Sequence, residues 1–467
     1  MDHPELTGRV TTRALVGYGL PAFALALFGV PVFVHLPKFY ADVAGAPLGA
    51  LGAAILVTRL GDGILDPLVG AWSDRTRTRW GRRRPFLLMA SPLLGLAVMA
   101  LFAPAADGMA AVWWFAITMS LAFTAWTAVQ IPYAALGAEL TSGHRERTRL
   151  FAVRDGLWIA GTLVAAAAPA VARAAIAASG KAPDERMVFQ VLGVVYGVLL
   201  IVLPWGCAWS VREPEPVTVP LPPARPLALL RDAWANHPYR RLLVAYAVAA
   251  LGGALPGTLL FFYVEHVLEA PSSADLLLGA YFLSGFACLP AWAWIAGRVG
   301  KKQAFIAATA LSVGVFAGAL LLGAGDVRWF ALIVALSGAG FGATLTLPSS
   351  MLADTLDYEE LRTGERREGL FMGLWGVTMK ASAAMGAGVA LPIIGAAGYT
   401  AGMPAPTDAV WAIRLLYCAV PCVCYALALV VIWRYPIDEP SHRSILRARD
   451  IRRSGLRAAD PLTGQVT

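Results

Sequence analysis

Long apolar runs alternate with short polar segments along the chain, and this pattern predicts membrane-spanning helices. A helix needs about 20 predominantly apolar residues to cross a bilayer. Gly, Ala and Pro are frequent inside the runs, which suits helices that pack closely and break locally around a cavity. About twelve runs are long enough, at residues 14–36, 47–72, 85–103, 111–136, 150–172, 188–211, 242–264, 276–296, 304–322, 329–347, 370–396 and 410–433.

Composition indicates the same class of protein. Hydrophobic residues make up 58% of the 467 residues and charged residues only 15%, whereas soluble domains average about 25% charged residues. Closed β-barrels lack apolar runs of this length. The sequence therefore predicts an all-α polytopic membrane protein.

The motif content disfavours several functional classes. The sequence has no G-x-x-x-x-G-K-[ST] phosphate-binding loop, so direct use of ATP is not expected. The five cysteines show neither a disulfide framework nor zinc spacing, and no residues have the spacing of a catalytic triad or a metal site. We expect a protein that is not an enzyme and that carries no cofactor or structural metal.

The net charge of +8 comes largely from short basic loops, which indicates membrane topology rather than nucleic-acid binding. Basic residues cluster after the second, fourth, eighth and tenth predicted spans, whereas the alternate loops carry few of them. The positive-inside rule then places both termini in the cytoplasm. We expect a monomer in a bacterial-type inner (plasma) membrane.

Proline-rich residues 212–238 divide the chain into two parts with about six spans each. We expect an N-terminal six-helix bundle at 1–211, an extended cytoplasmic linker at 212–238 and a C-terminal six-helix bundle at 239–437. Residues 438–467 are polar and basic and are expected to form a loose cytoplasmic tail. Basic loops at 81–84 and 300–302 occupy corresponding places, which indicates two related halves with a site between them.

Three charged residues inside the second span are the strongest functional signal. Asp62 and Asp66 are four residues apart and Arg59 lies three residues before Asp62, so all three share one helix face. A charge at the centre of a membrane helix costs about 2.5–3.5 kcal/mol, so such residues face a bundle interior or a wet cavity. We predict a cation site at Asp62 and Asp66; the alternative is a static ion-pair lock with Arg59.

Lys380 lies about ten residues into the eleventh span, roughly 15 Å deep. Because that depth prevents easy snorkelling, the ammonium group needs a carboxylate or water. We predict that Lys380 pairs with Asp62 or Asp66 and that competition with a cation couples ion binding to helix movement. A static salt bridge is the alternative.

The fourth span supplies neutral oxygen atoms as candidate ligands for the cation. Thr127 and Gln130 are three residues apart on one face, and hard cations prefer oxygen ligands. Interhelical hydrogen bonding is the alternative reading. Deep tryptophans such as Trp126 and Trp375 offer flat apolar faces for a sugar ring or an acyl chain, although packing explains most individual tryptophans.

Charged residues at the predicted cytoplasmic surface suggest a gate held by ion pairs. An acidic segment follows the tenth span and opposes the arginine-rich loops. A solvated surface is the alternative, since an exposed pair contributes only about 0–1 kcal/mol. The predicted gate residues are Asp74, Arg75, Arg82, Asp354, Asp357 and Arg366.

Two long motifs resemble one known family. They are Arg59-x-x-Asp62-x-x-x-Asp66-Pro67 with the following Asp74–Pro85 segment, and Ala353-Asp354-x-x-Asp357-Tyr358 through Gly369. This pattern is similar to that of the glycoside–pentoside–hexuronide:cation symporters (melibiose permease-like) of the major facilitator superfamily. The resemblance covers residues of both halves, from about 18 to 433.

The resemblance implies roles for individual residues. Family carboxylates that bind Na⁺, H⁺ or Li⁺ match Asp62 and Asp66, an assisting threonine matches Thr127, and the helix-eleven lysine matches Lys380. Arg154 resembles a sugar-contacting arginine. With these matches, we predict that the substrate contacts Arg154, Trp126, Tyr133 and Trp375.

Two departures bear on the substrate. Carboxylates that bind sugar hydroxyls in the family are replaced by Ala26 and Gln130. The expected fold is two six-helix bundles, and the expected activity is symport of a sugar or glycoside with Na⁺ or H⁺ by alternating access. A lysolipid:cation symporter of the same fold and a non-transporting receptor or scaffold are the alternatives.

Overall fold

The computed structural model describes residues 11–140, 144–180, 182, 184–211, 213, 231, 233–364, 368–400, 402–454 and 456–464. Within these ranges the regular structure is helical, apart from isolated bridges such as the one between Thr78 and Gly81. The predicted all-α architecture is therefore confirmed. Most of the predicted linker at 212–238 lies outside the described residues.

Helices of the first half follow the predicted spans. They are α1 (Thr12–Val30), a π-helical turn (Pro31–His35), α2 (Leu36–Asp42), α3 (Leu48–Arg75), α4 (Arg84–Leu101), α5 (Met109–Glu139), α6 (His144–Ala178) and α7 (Glu185–Ser210). The first predicted span runs on through the π turn into α2, so that residues 12–42 form one crossing element.

Helices of the second half match the remaining spans. They are α8 (His237–His266), a 3₁₀ turn (Pro271–Ser273), α9 (Ala274–Ala287), α10 (Leu289–Val299), α11 (Lys301–Ala319), α12 (Val327–Thr363), α13 (Glu368–Ala396), α14 (Thr407–Arg414), a π-helical turn (Leu415–Ala419), α15 (Val420–Trp433) and α16 (Glu439–Arg453). The eighth span is split into α9 and α10 just before Pro290, whose ring and missing N–H disfavour an unbroken helix.

Eleven helical segments among the described residues are long and apolar enough to cross a membrane. One more long helix, α3, has 28 residues and carries the buried charges. At 1.5 Å per residue it is about 42 Å long, which exceeds the roughly 30 Å hydrocarbon core. Together these helices confirm the prediction of about twelve spans.

The chain divides into two compact units. The first comprises Met1–Thr218 with Ala387–Ala409, and the second comprises Val219–Gly386 with Val410–Thr467. In the first unit α1 packs on α6 and α7, α4 packs on α5 and α7, and α3 packs on α5. In the second, α8 packs on α15, α12 packs on α9 and α11, and α11 also packs on α15.

The C-terminal tail differs from the prediction, because residues 439–453 form a helix that packs on α12. Ile445 and Ala448 lie three residues apart on its buried face, within the core of the second unit. The Asp438 side chain caps the helix by accepting a hydrogen bond from the main-chain N–H of Ser441, at 3.0 Å. A mostly polar composition concealed this narrow apolar stripe, so the expectation of a loose tail was wrong for these residues.

Candidate ion-binding site

The three charged residues of α3 lie where the helix packs on α5. Asp62 is only 2% exposed and Arg59 only 8%, while Asp66 is half-buried. Thr127 of α5 is fully buried and faces both carboxylates: its Oγ1 atom lies 2.9 Å from Oδ1 of Asp62 and 3.0 Å from Oδ1 of Asp66. The structure thus brings together the two predicted carboxylates and the predicted threonine.

The Thr127 hydroxyl cannot donate to both carboxylates at once, because it carries a single proton. An ionised carboxylate only accepts hydrogen bonds. Both short contacts are favourable only if one carboxyl group is protonated and donates to Oγ1, or if a cation lies among the three oxygens. The geometry therefore suits a site that takes up positive charge.

Arg59 contacts Oδ2 of Asp62, whereas Thr127 contacts Oδ1. Its Nη1 atom donates to Asp62 Oδ2 at 3.1 Å, with both side chains buried. The guanidinium also lies over the rings of Phe33 and Phe123, with its Cζ atom 5.0 and 4.2 Å from the two ring centroids. These cation–π contacts favour a fixed position for a desolvated arginine. The ion pair that the alternative interpretation required is therefore present between Arg59 and Asp62.

Gln130 lies nearly one turn beyond Thr127 on α5. Its Oε1 atom is buried and accepts no hydrogen bond from the residues that the structure describes. A buried amide oxygen without a donor costs about 1–3 kcal/mol, so this oxygen is suited to a cation, a water molecule or a substrate hydroxyl. Trp126, also on α5, is half-buried.

Two of the predicted substrate-binding residues, Tyr133 and Arg154, make contacts with other residues of the first unit. The Tyr133 hydroxyl is buried and donates to the main-chain oxygen of Tyr18 at 2.7 Å. Arg154 pairs with Asp155, with Nε 2.8 Å from Oδ1, and lies over the ring of Phe151 at 4.5 Å. Tyr133 is thus placed to support packing, whereas Arg154 is about 30% exposed and remains accessible.

Ala26 lies where α1 packs on α6. It is 2% exposed, and a Cβ atom added to Gly161 of α6 would lie 2.9 Å from the Ala26 Cβ. The two helices therefore approach each other closely at this position, which suits small side chains.

Lys380 and Trp375 lie on α13 in the second unit. Lys380 is half-buried. Trp375 is 8% exposed and stacks on Tyr246, with ring centroids 3.9 Å apart. Pairing of Lys380 with Asp62 or Asp66 stays a prediction.

The acidic gate residues have partners that sequence reasoning missed. Asp354 pairs with Lys301 at 2.6 Å, and Asp357 pairs with Arg449 at 2.7 Å and His442 at 3.0 Å. These partners belong to the same unit as the acids, and two of them lie on the tail helix α16. The sequence did not predict these ion pairs, because the segment that carries Arg449 and His442 was expected to form a loose tail.

The predicted gate residues of the first unit lie in or beside the loop before α4. Arg75 is exposed, and the main-chain N–H of Arg82 donates to Glu213 at 2.8 Å. The Asp74 side chain and Arg366 lie outside the described residues. The role of this set as a gate stays a prediction.

Glu213 is a further residue that the sequence analysis did not identify. Its carboxylate accepts main-chain N–H groups of Arg82 and Arg83, both at 2.8 Å, at the start of α4. A helix N-terminus favours such an anion. Gly81 has φ of +108°, and an added Cβ would lie 2.2 Å from the Glu213 carboxylate, so the turn requires glycine.

Comparison with known proteins agrees with this architecture. A family model described as MFS/sugar transport protein matches residues 17–439. The chain is 28% identical to the glucuronide carrier protein homolog of Escherichia coli (strain K12), over 95% of this chain and 97% of that protein. It is also 28% identical to the putative glycoside/cation symporter YagG of the same strain, over 94% and 95% of the two chains.

More distant relatives share the fold. The sodium-dependent lysophosphatidylcholine symporter 1-A of Danio rerio is 25% identical, over 91% of this chain and 87% of its own. A crystal structure of a bacterial homolog to the human lysosomal transporter Spinster, inward-facing and unoccupied, superposes with a TM-score of 0.64 at 11% identity, covering 93% and 96% of the chains. The predicted major facilitator fold is thereby confirmed, and this chain belongs to the MFS/sugar transport protein family.

Proposed function

We propose that this membrane protein is a secondary active transporter that carries a sugar or glycoside together with Na⁺ or H⁺ by alternating access. The observation that carries the proposal is the Asp62–Thr127–Asp66 cluster, where two carboxylates contact one hydroxyl. The names of the glycoside/cation symporter and the glucuronide carrier support a sugar-like substrate.

Placing two acids in a membrane helix has a large cost, which a transported cation offsets. Each ionised side chain costs about 2.5–3.5 kcal/mol at the centre of a span. Arg59 neutralises one charge through its contact with Asp62. A Na⁺ ion or a proton that neutralises the second charge stabilises the loaded state relative to the empty one.

Ion and substrate are coupled through this neutralisation. In this proposal a bound cation competes with Lys380 for the negative charge of Asp62 and Asp66. The weaker attraction of Lys380 to these carboxylates then allows the helix movement that favours substrate binding. Linkage then requires that the cation and the substrate raise each other's affinity by the same factor. Gln130, with its buried amide oxygen, is placed to contact either ligand.

A lysolipid is the second candidate substrate. The sodium-dependent lysophosphatidylcholine symporter matches this chain over most of its length. Gln130 stands where the sugar-binding family members have a second acid, which suits a less polar ligand. A receptor that does not transport is the remaining alternative, and it predicts ligand binding without accumulation.

Uptake into proteoliposomes tests the function directly. Radiolabelled glycosides, hexuronides and a lysophospholipid are offered with a Na⁺ gradient, a pH gradient or neither. We expect accumulation of one sugar-like compound with one of the gradients and its loss in Asp62→Asn and Asp66→Asn. Asp184→Asn, which changes an exposed residue before α7, is the matched control. Equal accumulation without a gradient, or in the two variants, contradicts the proposal.

A location and an orientation in the membrane are part of the proposal. We place the protein in the inner membrane of a bacterial-type cell with both termini in the cytoplasm, as the basic loops indicate. Single cysteines introduced at Arg77 and Arg328 of a cysteine-free variant are expected to react with a membrane-impermeant reagent from opposite sides. Labelling of both from the same side contradicts this orientation.

A further inference from the structure

A cavity of about 440 Å³ lies between α4, α7 and the arginine-rich loop at residues 76–83, and none of its lining residues belongs to the Asp62 cluster on α3. Its volume is within the range of small-molecule sites. Trp80 and Trp209 are 50% and 68% exposed, so the cavity opens onto the outer surface of the helices. It is lined by Trp80, Arg84, Leu88, Trp205 and Trp209.

Hydrogen bonds fix the walls of this cavity. Pro92 has no N–H to offer the Leu88 carbonyl four residues earlier, and the Trp205 indole N–H donates to that oxygen instead, at 3.0 Å. Arg84 Nε donates to the carbonyl of Ala208 in the last turn of α7, at 2.5 Å. The indole and the guanidinium are therefore held in place before any ligand binds.

Polar and apolar groups are separated along the cavity. Arg84 is the first residue of α4, and Leu88 lies four residues, about 6 Å, further along the helix. On α7, Trp209 lies near the helix end and Trp205 one turn deeper, with ring centroids 6.0 Å apart. A ligand in this cavity meets a cation at one end and an apolar wall at the other.

The charge of the surroundings is positive. Arg77 and Arg79 are exposed on the loop and Arg75 at the end of α3, and Arg79 lies over the Trp80 ring at 5.1 Å. Glu213 holds the main chain of this loop, and within the described part of the chain no carboxylate pairs with the Arg84 guanidinium. The guanidinium and the nearby arginines therefore favour an anionic ligand.

We propose that this cavity binds an anionic phospholipid of the bilayer, with its phosphate on Arg84 and its acyl chain along Leu88 and Trp205. Both α4 and α7 are membrane-spanning, so their outer surface meets lipid. Basic pockets between membrane helices recognise anionic headgroups, and indole rings favour the interface. The site is independent of the transported substrate.

Lipid retention measured by native mass spectrometry tests the proposal. Protein purified in neutral detergent is titrated with phosphatidylglycerol or phosphatidylcholine of identical acyl chains. We expect one phosphatidylglycerol to be retained with at least a fivefold preference. Arg84→Gln keeps a hydrogen-bond donor for Ala208 but removes the charge, and we expect it to abolish the preference. Arg328→Gln, an exposed arginine beside Trp329 on α12, is the control and keeps it.

A second measurement locates the lipid independently of Arg84. Phosphatidylglycerol with brominated acyl chains quenches nearby indoles, and we expect the quenched fraction to fall in Trp205→Phe but not in Trp329→Phe. Glycerol phosphate at millimolar concentration tests for a free anion and should not displace the lipid. Equal retention of the two lipids, an unchanged preference in Arg84→Gln, displacement by glycerol phosphate or unchanged quenching in Trp205→Phe overturns the proposal.

Discussion

Replacing Thr127 with valine is the sharpest test of the ion site. Valine has nearly the same shape, so the substitution removes the hydroxyl while leaving Asp62 and Asp66 in place. The hydroxyl lies 2.9 and 3.0 Å from the two carboxylates but carries one proton, so only one hydrogen bond to an ionised group is lost. Such a bond contributes about 1.5–3 kcal/mol.

Both candidate ions lose a contact in this change. With a proton on one carboxyl group, the hydroxyl donates to one acid and accepts from the other, so the proton-loaded site loses two hydrogen bonds and its uptake rate at a given pH is expected to fall. Na⁺ instead loses one of its oxygen ligands, and a valine methyl group takes its place. The half-saturating Na⁺ concentration is therefore expected to rise.

Initial uptake rates in proteoliposomes, measured against pH and against Na⁺ concentration, separate these outcomes. Thr124→Val is the matched control on the same helix, because the Thr124 hydroxyl donates to the Ser120 carbonyl of its own helix. We expect it to leave both half-saturation points unchanged. If Thr127→Val also leaves both unchanged while the protein remains folded, the three side chains do not form the ion site.

Three further predictions concern α16 and the loop before α4. Ile445→Ala, at a fully buried position of α16, is expected to weaken the packing of that helix by about 2–5 kcal/mol; hydrogen exchange of residues 439–453 measures this, and exposed Ile451→Ala is its control. Gly81→Ala forces an unfavourable φ and a 2.2 Å contact with Glu213, so its thermal unfolding temperature should fall further than that of Gly314→Ala, a helical position whose added Cβ meets no atom. Hydrogen bonds from the Ser441 side chain and main chain lower the pKa of Asp438, so its stabilisation of α16 is present above the ordinary value of about 3.9 and is lost as the pH falls through the lowered one; protection factors of α16, which correct the exchange rates for the intrinsic effect of pH, contradict this if they are equal at pH 5 and pH 3.

The spans were predictable because each one is a long apolar run that has no other stable location. Asp62, Asp66 and Thr127 were predictable for a related reason: polar groups in such runs require partners, and their spacing placed the acids on one face. The structure adds that one hydroxyl contacts both acids. Helical periodicity describes one helix at a time and contains no information about that contact.

The tail helix was not predictable by the same reasoning. Only Ile445 and Ala448 are buried on α16, so its composition is that of a solvated segment. Its position depends on Arg449 and His442, which meet Asp357 about 90 residues away in the chain. Glu213 illustrates the same limit, since its partners are main-chain N–H groups about 130 residues distant.

Arg59 determines the net charge of the candidate ion site. With both acids ionised, the set of Arg59, Asp62 and Asp66 has a net charge of −1, and one bound monovalent cation brings it to zero. Arg59 contacts Asp62 Oδ2, while Thr127 contacts Oδ1 of both acids, so the arginine and the threonine lie on different sides of Asp62. The arginine therefore lowers the charge of the site without occupying the oxygens that face Thr127. We therefore expect the site to take up one monovalent cation in each transport cycle.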